Sequence, residues 1–308
     1  MLLSVSKDAK FVSRTYKQDA ADGDWSDYVL SVVNKPPSVG FGPQNSQSTL
    51  SVTSDNLIST GETVIMSDGT TVVEHTLGNV FNQTSPGSIA YTSYDNVSFS
   101  VNAQELNPNG LAFSSDGTKM FIVGHFSDSV HQYSLSTPWN VQTASYDNVS
   151  FSVQAQDSAP YDLAFSSDGT KMFIVGNVSK SVHQYTLSTP WNVNTASYDN
   201  VSFSVQAQEA NTFGLAFSPD GTKMFILGTN SKSVHQYTLS TPWNVQSASY
   251  DNVSFSVLAQ ENNPLGLAFN NDGTKMFIVG YTSDSVHQYT LSTPWNVQSA
   301  SYDNVSFS

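Results

Sequence analysis

The chain has 308 residues, 38% of them hydrophobic and 12% aromatic, which suits a packed globular core rather than a disordered polymer. It has no cysteine, so disulfides play no part, and its longest apolar runs are far shorter than the roughly 20 residues of a membrane helix. The net charge of −14 is spread over both halves, with six Lys against sixteen carboxylates in residues 93–308, and argues against nucleic acid as a partner.

In chain order, the opening "MLLSVSKDAKFVSR" has too short an apolar stretch, with its basic residues on the wrong side, to read as a secretory signal. Lys7, Lys10, Arg14 and Lys17, opposed only by Asp8, read as a solvated arm or as an electrostatic contact for an acidic partner. The Pro/Gly-rich stretch "NKPPSVGFGPQNSQS" reads as a linker, so residues 1–48 are taken as an N-terminal segment and linker. Residues 49–92 read as a β region, where "VIMSDGTTVVEH" suggests a hairpin about Asp68-Gly69 and a degenerate copy of the repeat unit that begins at residue 93.

From residue 93 the chain is repetitive. "VHQY" begins at Val130, Val182, Val234 and Val286, each step being 52 residues, and Trp139, Trp191, Trp243 and Trp295 keep the same period. Within one unit, Leu215 to Ser218 and Lys223 to Leu227 read as strands A and B about an Asp-Gly turn. "SVHQYTLS", ended by Pro242, reads as strand C, and "ASYDNVSFSVLAQ", with Val253, Phe255 and Val257 alternating with polar residues, as strand D. Strand B is apolar throughout, as if buried on both faces, and D keeps one wet face, as an outer strand would. No segment has helical periodicity.

Four short antiparallel strands per repeat of about 50 residues predict an all-β protein whose residues 93–308 form four tandem β-propeller blades. A lone four-stranded sheet of this composition leaves both faces uncovered, so the units must stack, in a ring or, as the alternative, in a linear solenoid. One phrase breaks the count: "SYDNVSFS" begins at Ser93, Ser145, Ser197, Ser249 and Ser301, five D strands for four sets of A, B and C. The extra copy predicts either a degenerate blade upstream or a natural chain that continues past Ser308.

The copies differ mainly in two windows, the D-to-A connection and the B-to-C connection, which alternating strand direction puts on one face of the disc. Phe126, Tyr161, Phe213, Leu265 and Tyr281, with the polar His125, Asn177 and Asn230, make that face the predicted ligand-binding surface; unconstrained drift of solvated loops is the plainer reading. Glu105, Asp157, Glu209 and Glu261 recur just before the innermost strand and read as a solvated rim, with oxygen ligands converging on Ca²⁺ as the alternative; no other cofactor is expected. His131, His183, His235 and His287 recur one per blade, too far apart to share a zinc ion, and are expected to pack or hydrogen-bond.

No hydrolase, zinc-protease, phosphate-loop or dinucleotide motif is present, and Asp, His and Ser recur in every unit where a catalytic centre needs asymmetry. The expectation is therefore a protein that is not an enzyme. The Asn-Val-Ser sequons, of which Asn96 is the first, matter only in a secretory pathway.

"LAFSSDGTKMFIVG" and "SVHQYTLSTPWNV" resemble the blade repeats of bacterial surface propellers and, more closely, repeats in tail-fibre-like proteins of marine bacteriophages. The resemblance covers residues 93–308, about 70% of the chain. It implies a virion protein assembled in the host cytoplasm, trimeric as such fibres often are. Residues 1–92 would then bind other tail proteins, while the propeller loops would bind a host surface glycan or protein. A purely structural virion component and a bacterial surface or periplasmic scaffold are the alternatives.

Overall fold

The computed structural model describes residues 92–308 and Ile89, together with four strands upstream. Those are β1 (Val12–Thr15) paired with β2 (Val29–Val32), and β3 (Thr63–Ser67) paired with β4 (Val72–Thr76), both antiparallel. The rest of residues 1–91, including the basic arm and the linker, lies outside the described residues. Residues 1–86 and 87–308 form two separate compact units.

The second unit holds four sheets of identical plan. Blade 1 is β5 (Pro108–Phe113), β6 (Lys119–Gly124), β7 (Ser129–Leu135) and β8 (Ala144–Ser152). Blade 2 is β9 (Pro160–Phe165), β10 (Lys171–Gly176), β11 (Ser181–Leu187) and β12 (Ala196–Ser204). Blade 3 is β13 (Thr212–Phe217), β14 (Lys223–Gly228), β15 (Ser233–Leu239) and β16 (Ala248–Ser256). Blade 4 is β17 (Pro264–Phe269), β18 (Lys275–Gly280), β19 (Val286–Leu291) and β20 (Ala300–Phe307). Each sheet runs A-B-C-D in chain order, and the A strands of successive blades neighbour one another, so the fold is the expected all-β propeller.

Strands B and C end within one residue of expectation, and strands A and D differ more. Strand A starts earlier, at Thr212 in blade 3, and ends at Phe217; Ser218 opens the turn, its hydroxyl accepting from the Lys223 N–H at 2.9 Å and donating to Asp220 at 2.6 Å. Strand D stops at Ser256: the Val257 N–H crosses to the Lys232 carbonyl at 2.9 Å and the side chain is fully buried, which tucks the D-to-A loop under the sheet. A single 3-10 turn, Val245–Ser247, precedes D, capped by the Asn244 side chain accepting from the Gln246 N–H.

Each filled interface between blades has one apolar core. Phe121, Val123 and Val130 of blade 1 pack on Leu163, Met172, Ile174, Tyr185 and Leu187 of blade 2, and the two following interfaces repeat this residue for residue. The opposite face of the disc is locked by its turns. Gly117, at φ 70°, lies under Trp139, itself at φ 62°; a Cβ on Gly117 would sit 2.3 Å from the indole, and the Trp139 N–H donates to the Gly117 carbonyl. The near-identity of the "DGTK" and "STPWN" turns thus has a steric cause.

The fifth copy of "SYDNVSFS" closes the arc. The Phe99 ring stands edge-on to Tyr133 at 5.6 Å, just as Phe151 meets Tyr185 between blades 1 and 2. Upstream, the Ile89 N–H donates to Gln288 Oε1 of blade 4 at 2.7 Å, as Val193 donates to Gln132, Val245 to Gln184 and Val297 to Gln236. Ile89 and residues 92–100 therefore occupy one ring position that follows blade 4 and precedes blade 1. The repeats form a ring of five positions, four complete and one represented among the described residues by its outer segment, and not a solenoid.

Candidate functional site

The variable loops do share a face, and the recurring acidic residue is what fastens them. Glu105 accepts hydrogen bonds from the N–H groups of Asn107 (2.8 Å), Phe126 (3.2 Å) and Ser127 (3.0 Å) and from Ser127 Oγ (2.6 Å). Asp157, Glu209 and Glu261 repeat the pattern in their own blades. Gly124 ends strand B because a Cβ there would lie 2.5 Å from the Glu105 carboxyl carbon. Burial alone would raise the Glu105 and Glu261 carboxyls, but the hydrogen bonds outweigh it, holding Glu105 below its ordinary range and Glu261 at about 2. The four carboxylates are buried, each bonded within its own blade, so they are not a solvated rim; among the described residues no three His, Cys, Asp or Glu come together to hold a metal ion.

The recurring histidines join the same network. Ser127 Oγ donates to Glu105, so it accepts from His131 Nε2 at 2.9 Å, which assigns the tautomer. Burial lowers the His131 pKa against the pull of the Glu105 charge, which favours the neutral ring. Acid, hydroxyl and imidazole are thus adjacent in every blade, but the hydroxyl stands in the middle. A hydrolytic triad needs the imidazole between the other two, so this trio clamps loops.

Above the clamp the structure assembles part of the predicted binding surface. The His125 and Tyr161 rings are 5.5 Å apart and those of Tyr161 and Phe213 are 4.4 Å apart, a line running from blade 1 to blade 3. Asn109, which the sequence reading missed, extends it by pairing with His125 Nδ1 at 2.8 Å. It occupies the repeat position of Tyr161, Phe213 and Leu265, the signal that would have found it. Phe126 (61% exposed), Tyr281 (73%) and Asn230 project from the B-to-C loops outside this line, Leu265 is half-buried, and Asn177 turns its Oδ1 inward without a partner.

One further residue breaks the fourfold pattern. Asp162 stands on the innermost strand where the other repeats have Gly110, Gly214 and Gly266. Its Oδ1 accepts from the Leu163 N–H at 2.8 Å, and its Oδ2 reaches blade 3 to accept from Leu215 N–H at 2.8 Å, a donor on an inner edge with no strand beyond it. Burial raises the Asp162 pKa to about 7, against the lowering effect of those two bonds.

No family model matches the chain, and no curated protein matches it. Solved structures that align with it include the periplasmic gluconolactonase of Pseudomonas aeruginosa (16% identity, TM-score 0.43, covering 65% of this chain and 53% of that one). A candidate 6-phosphogluconolactonase of Bacteroides fragilis aligns at 12% identity and TM-score 0.45, over 65% of this chain and 54% of that one. The propeller domain of Cps50 (Swd1) from Myceliophteria thermophila aligns at 11% identity and TM-score 0.41, over 65% and 58% respectively. The chain spans about half the length of the two lactonases. At these identities the likeness concerns fold alone, and none of the three is a tail fibre. The expectation that the chain is not an enzyme is not upheld: some of the structures that align with it are named as lactonases.

Proposed function

We propose that the unit formed by residues 87–308 is a recognition propeller of the bacterial surface or periplasmic kind, binding a ligand with a flat apolar face and polar edges, such as a sugar, on its loop face. The observation that carries this is the continuous line Asn109–His125–Tyr161–Phe213, which offers ring faces flanked by an amide and an imidazole at the rim of a rigid scaffold. The resemblance of the repeats to those of phage tail fibres supports a finer version, in which the ligand is a host surface glycan and the chain a virion protein. Glycan-array screening of the intact chain, followed by titration of Tyr161→Ala and Phe213→Ala, tests the reading: each variant should weaken binding by about tenfold or more, equivalent to roughly 1.4 kcal/mol, with the melting temperature little changed. Binding that ignores both substitutions overturns it.

Asp162 favours a second reading. It is the single carboxyl on the innermost strands of the four blades, and a carboxyl titrating near neutral pH is suited to proton transfer. On this reading the chain is a hydrolase of a small sugar-derived ester, and sugar lactones are the first substrates to assay, with Asp162→Asn as the control that must lose activity.

A further inference from the structure

Asn109, Tyr161, Phe213 and Leu265 owe their aim to one irregularity repeated in every inner strand. Pro160 pairs with Gly176 and Asp162 with Val175, so Tyr161 falls at a shift of register in the ladder, and the other three residues are skipped in the same way. A bulge of this kind turns the extra side chain out of the sheet. What stands one residue further along each strand therefore sets the line in place.

At that level three repeats have glycine and blade 2 has Asp162. The glycine of blade 1 makes room for it, since a Cβ on Gly110 would lie 2.9 Å from Asp162 Oδ1. Both carboxyl oxygens accept, Oδ1 from the Leu163 N–H within β9 and Oδ2 from the Leu215 N–H on β13, each at 2.8 Å. The bridge falls at the interface where the Tyr161 and Phe213 rings meet at 4.4 Å. An N–H on each oxygen is the geometry of the ionised form. A proton on either oxygen would turn an acceptor into a hydroxyl facing an N–H. The Leu163 bond joins neighbours in one strand, so the Leu215 bond, which spans two blades, is the one that gives.

The groups facing Asp162 are Gly110 of β5, Val175 of β10 and Leu215 of β13, and β6 packs on β9 with Phe121 and Val123; none of these is charged. The titratable neighbours are Tyr161 beside it and His125 beyond Tyr161. Burial raises the Asp162 pKa to about 7, which places its change of state near neutrality.

We propose that Asp162 is a positioning residue for the loop-face site and makes that site responsive to pH: its ionised carboxylate bridges β9 and β13 one residue below the Tyr161–Phe213 pair and sets the gap between the two rings, and protonation relaxes that gap. This rests on the reading of Tyr161 and Phe213 as ligand contacts.

The test uses the full chain with 4-fluorophenylalanine at position 213, whose fluorine reads the Tyr161 ring without any added molecule. Between pH 5 and 8.5 the signal should move in a step near pH 7 that Asp162→Asn lacks, while movement due to His125 is common to both proteins. Asp162→Gly, which has the residue of the other three repeats, should hold the signal displaced at every pH. For binding, the probe is the oligosaccharide retained most strongly on the glycan array. From pH 6 to pH 8 wild type should gain about threefold or more in affinity over the change seen in Asp162→Asn, and at pH 8 Asp162→Gly should bind about tenfold more weakly than wild type. Ionising Asp162 costs the fold stability, so a merely structural role predicts weaker binding at pH 8. A wild-type fluorine signal without that step, or Asp162→Gly matching wild type in signal and affinity, overturns the proposal. An array that retains no glycan overturns the recognition reading instead, and the fluorine titration still decides what holds the rings.

Discussion

Gln288 Oε1 accepts the backbone N–H of Ile89 at 2.7 Å, joining residues 199 positions apart. The same glutamine donates its amide to Asp303 Oδ2 at 2.6 Å, and Asp303 also receives Lys275 Nζ at 2.8 Å, so a chain of polar contacts runs from strand B through D and C to the next ring position. Gln132, Gln184 and Gln236 make the same link at the interfaces between complete blades. Because a side-chain amide has both a donor and an acceptor, one residue can serve its own blade and its neighbour together.

Removing that link at the closing position should loosen the ring locally. Gln288→Ala is expected to cost about 1–3 kcal/mol and to abolish hydrogen-exchange protection of the Ile89 amide, while the Val193 amide at the first interface stays protected. Equal protection of Ile89 in both proteins would show that the contact contributes nothing.

The turn lock makes a steric prediction. Gly169→Ala puts a methyl 2.3 Å from the Trp191 ring and at φ 72°, so it should destabilise the protein by about 2–4 kcal/mol. Combined with Trp191→Ala, the two losses should sum to less than their separate costs, since the second substitution removes the clash. Chemical denaturation of the four proteins in a double-mutant cycle reads the coupling directly.

Asp162 provides a pH test with a definite sign. Its pKa in the folded protein, about 7, lies above the ordinary 3.8, so the fold holds this proton more tightly than the unfolded chain does. The resulting stabilisation is complete below about pH 4 and is lost as pH rises through 7. Asp162→Asn removes the dependence, and should melt about 2–6 °C above wild type at pH 8 while matching or falling below it at pH 5. A gap of the same size at both values would refute the assignment.

Glu261 should behave in the opposite way. Its carboxyl is held at about 2 rather than 4.5, so its contribution is present above pH 4.5 and is lost as pH falls toward 2. Glu261→Gln should cost about 1.5–3 kcal/mol at pH 7, the range of charge-assisted hydrogen bonds, with the deficit shrinking below pH 3. Thermal melts of both proteins across that range measure it.

Much of this architecture is legible in residues that act locally. The 52-residue period, the Asp-Gly turn, the wholly apolar B strand and the alternation of "NVSFS" specify a four-stranded blade, because turn chemistry and strand patterning depend on neighbours a few residues away. The need for blades to cover one another follows from the same pattern. Even the tight turns opposite the variable loops could be read from Gly and Pro, though not the reason they tolerate so little change, which lies in the indole of Trp139 above Gly117.

Tertiary structure alone decided how many positions the ring has and what the recurring polar residues do. Ring size depends on the angle between packed blades, a property of side-chain shape at three interfaces that no single repeat displays; only the contacts of Phe99 and Ile89 reveal it. Glu105, Ser127 and His131 have the composition of a catalytic or metal-binding group, and only their order in space, with the hydroxyl in the middle and the carboxylate spent on three backbone amides, makes them a clamp. The replacement of glycine by Asp162 is plain in the sequence, but its meaning arises from burial and from an N–H on the adjacent blade, since a carboxyl takes its pKa from surroundings that the ring brings together.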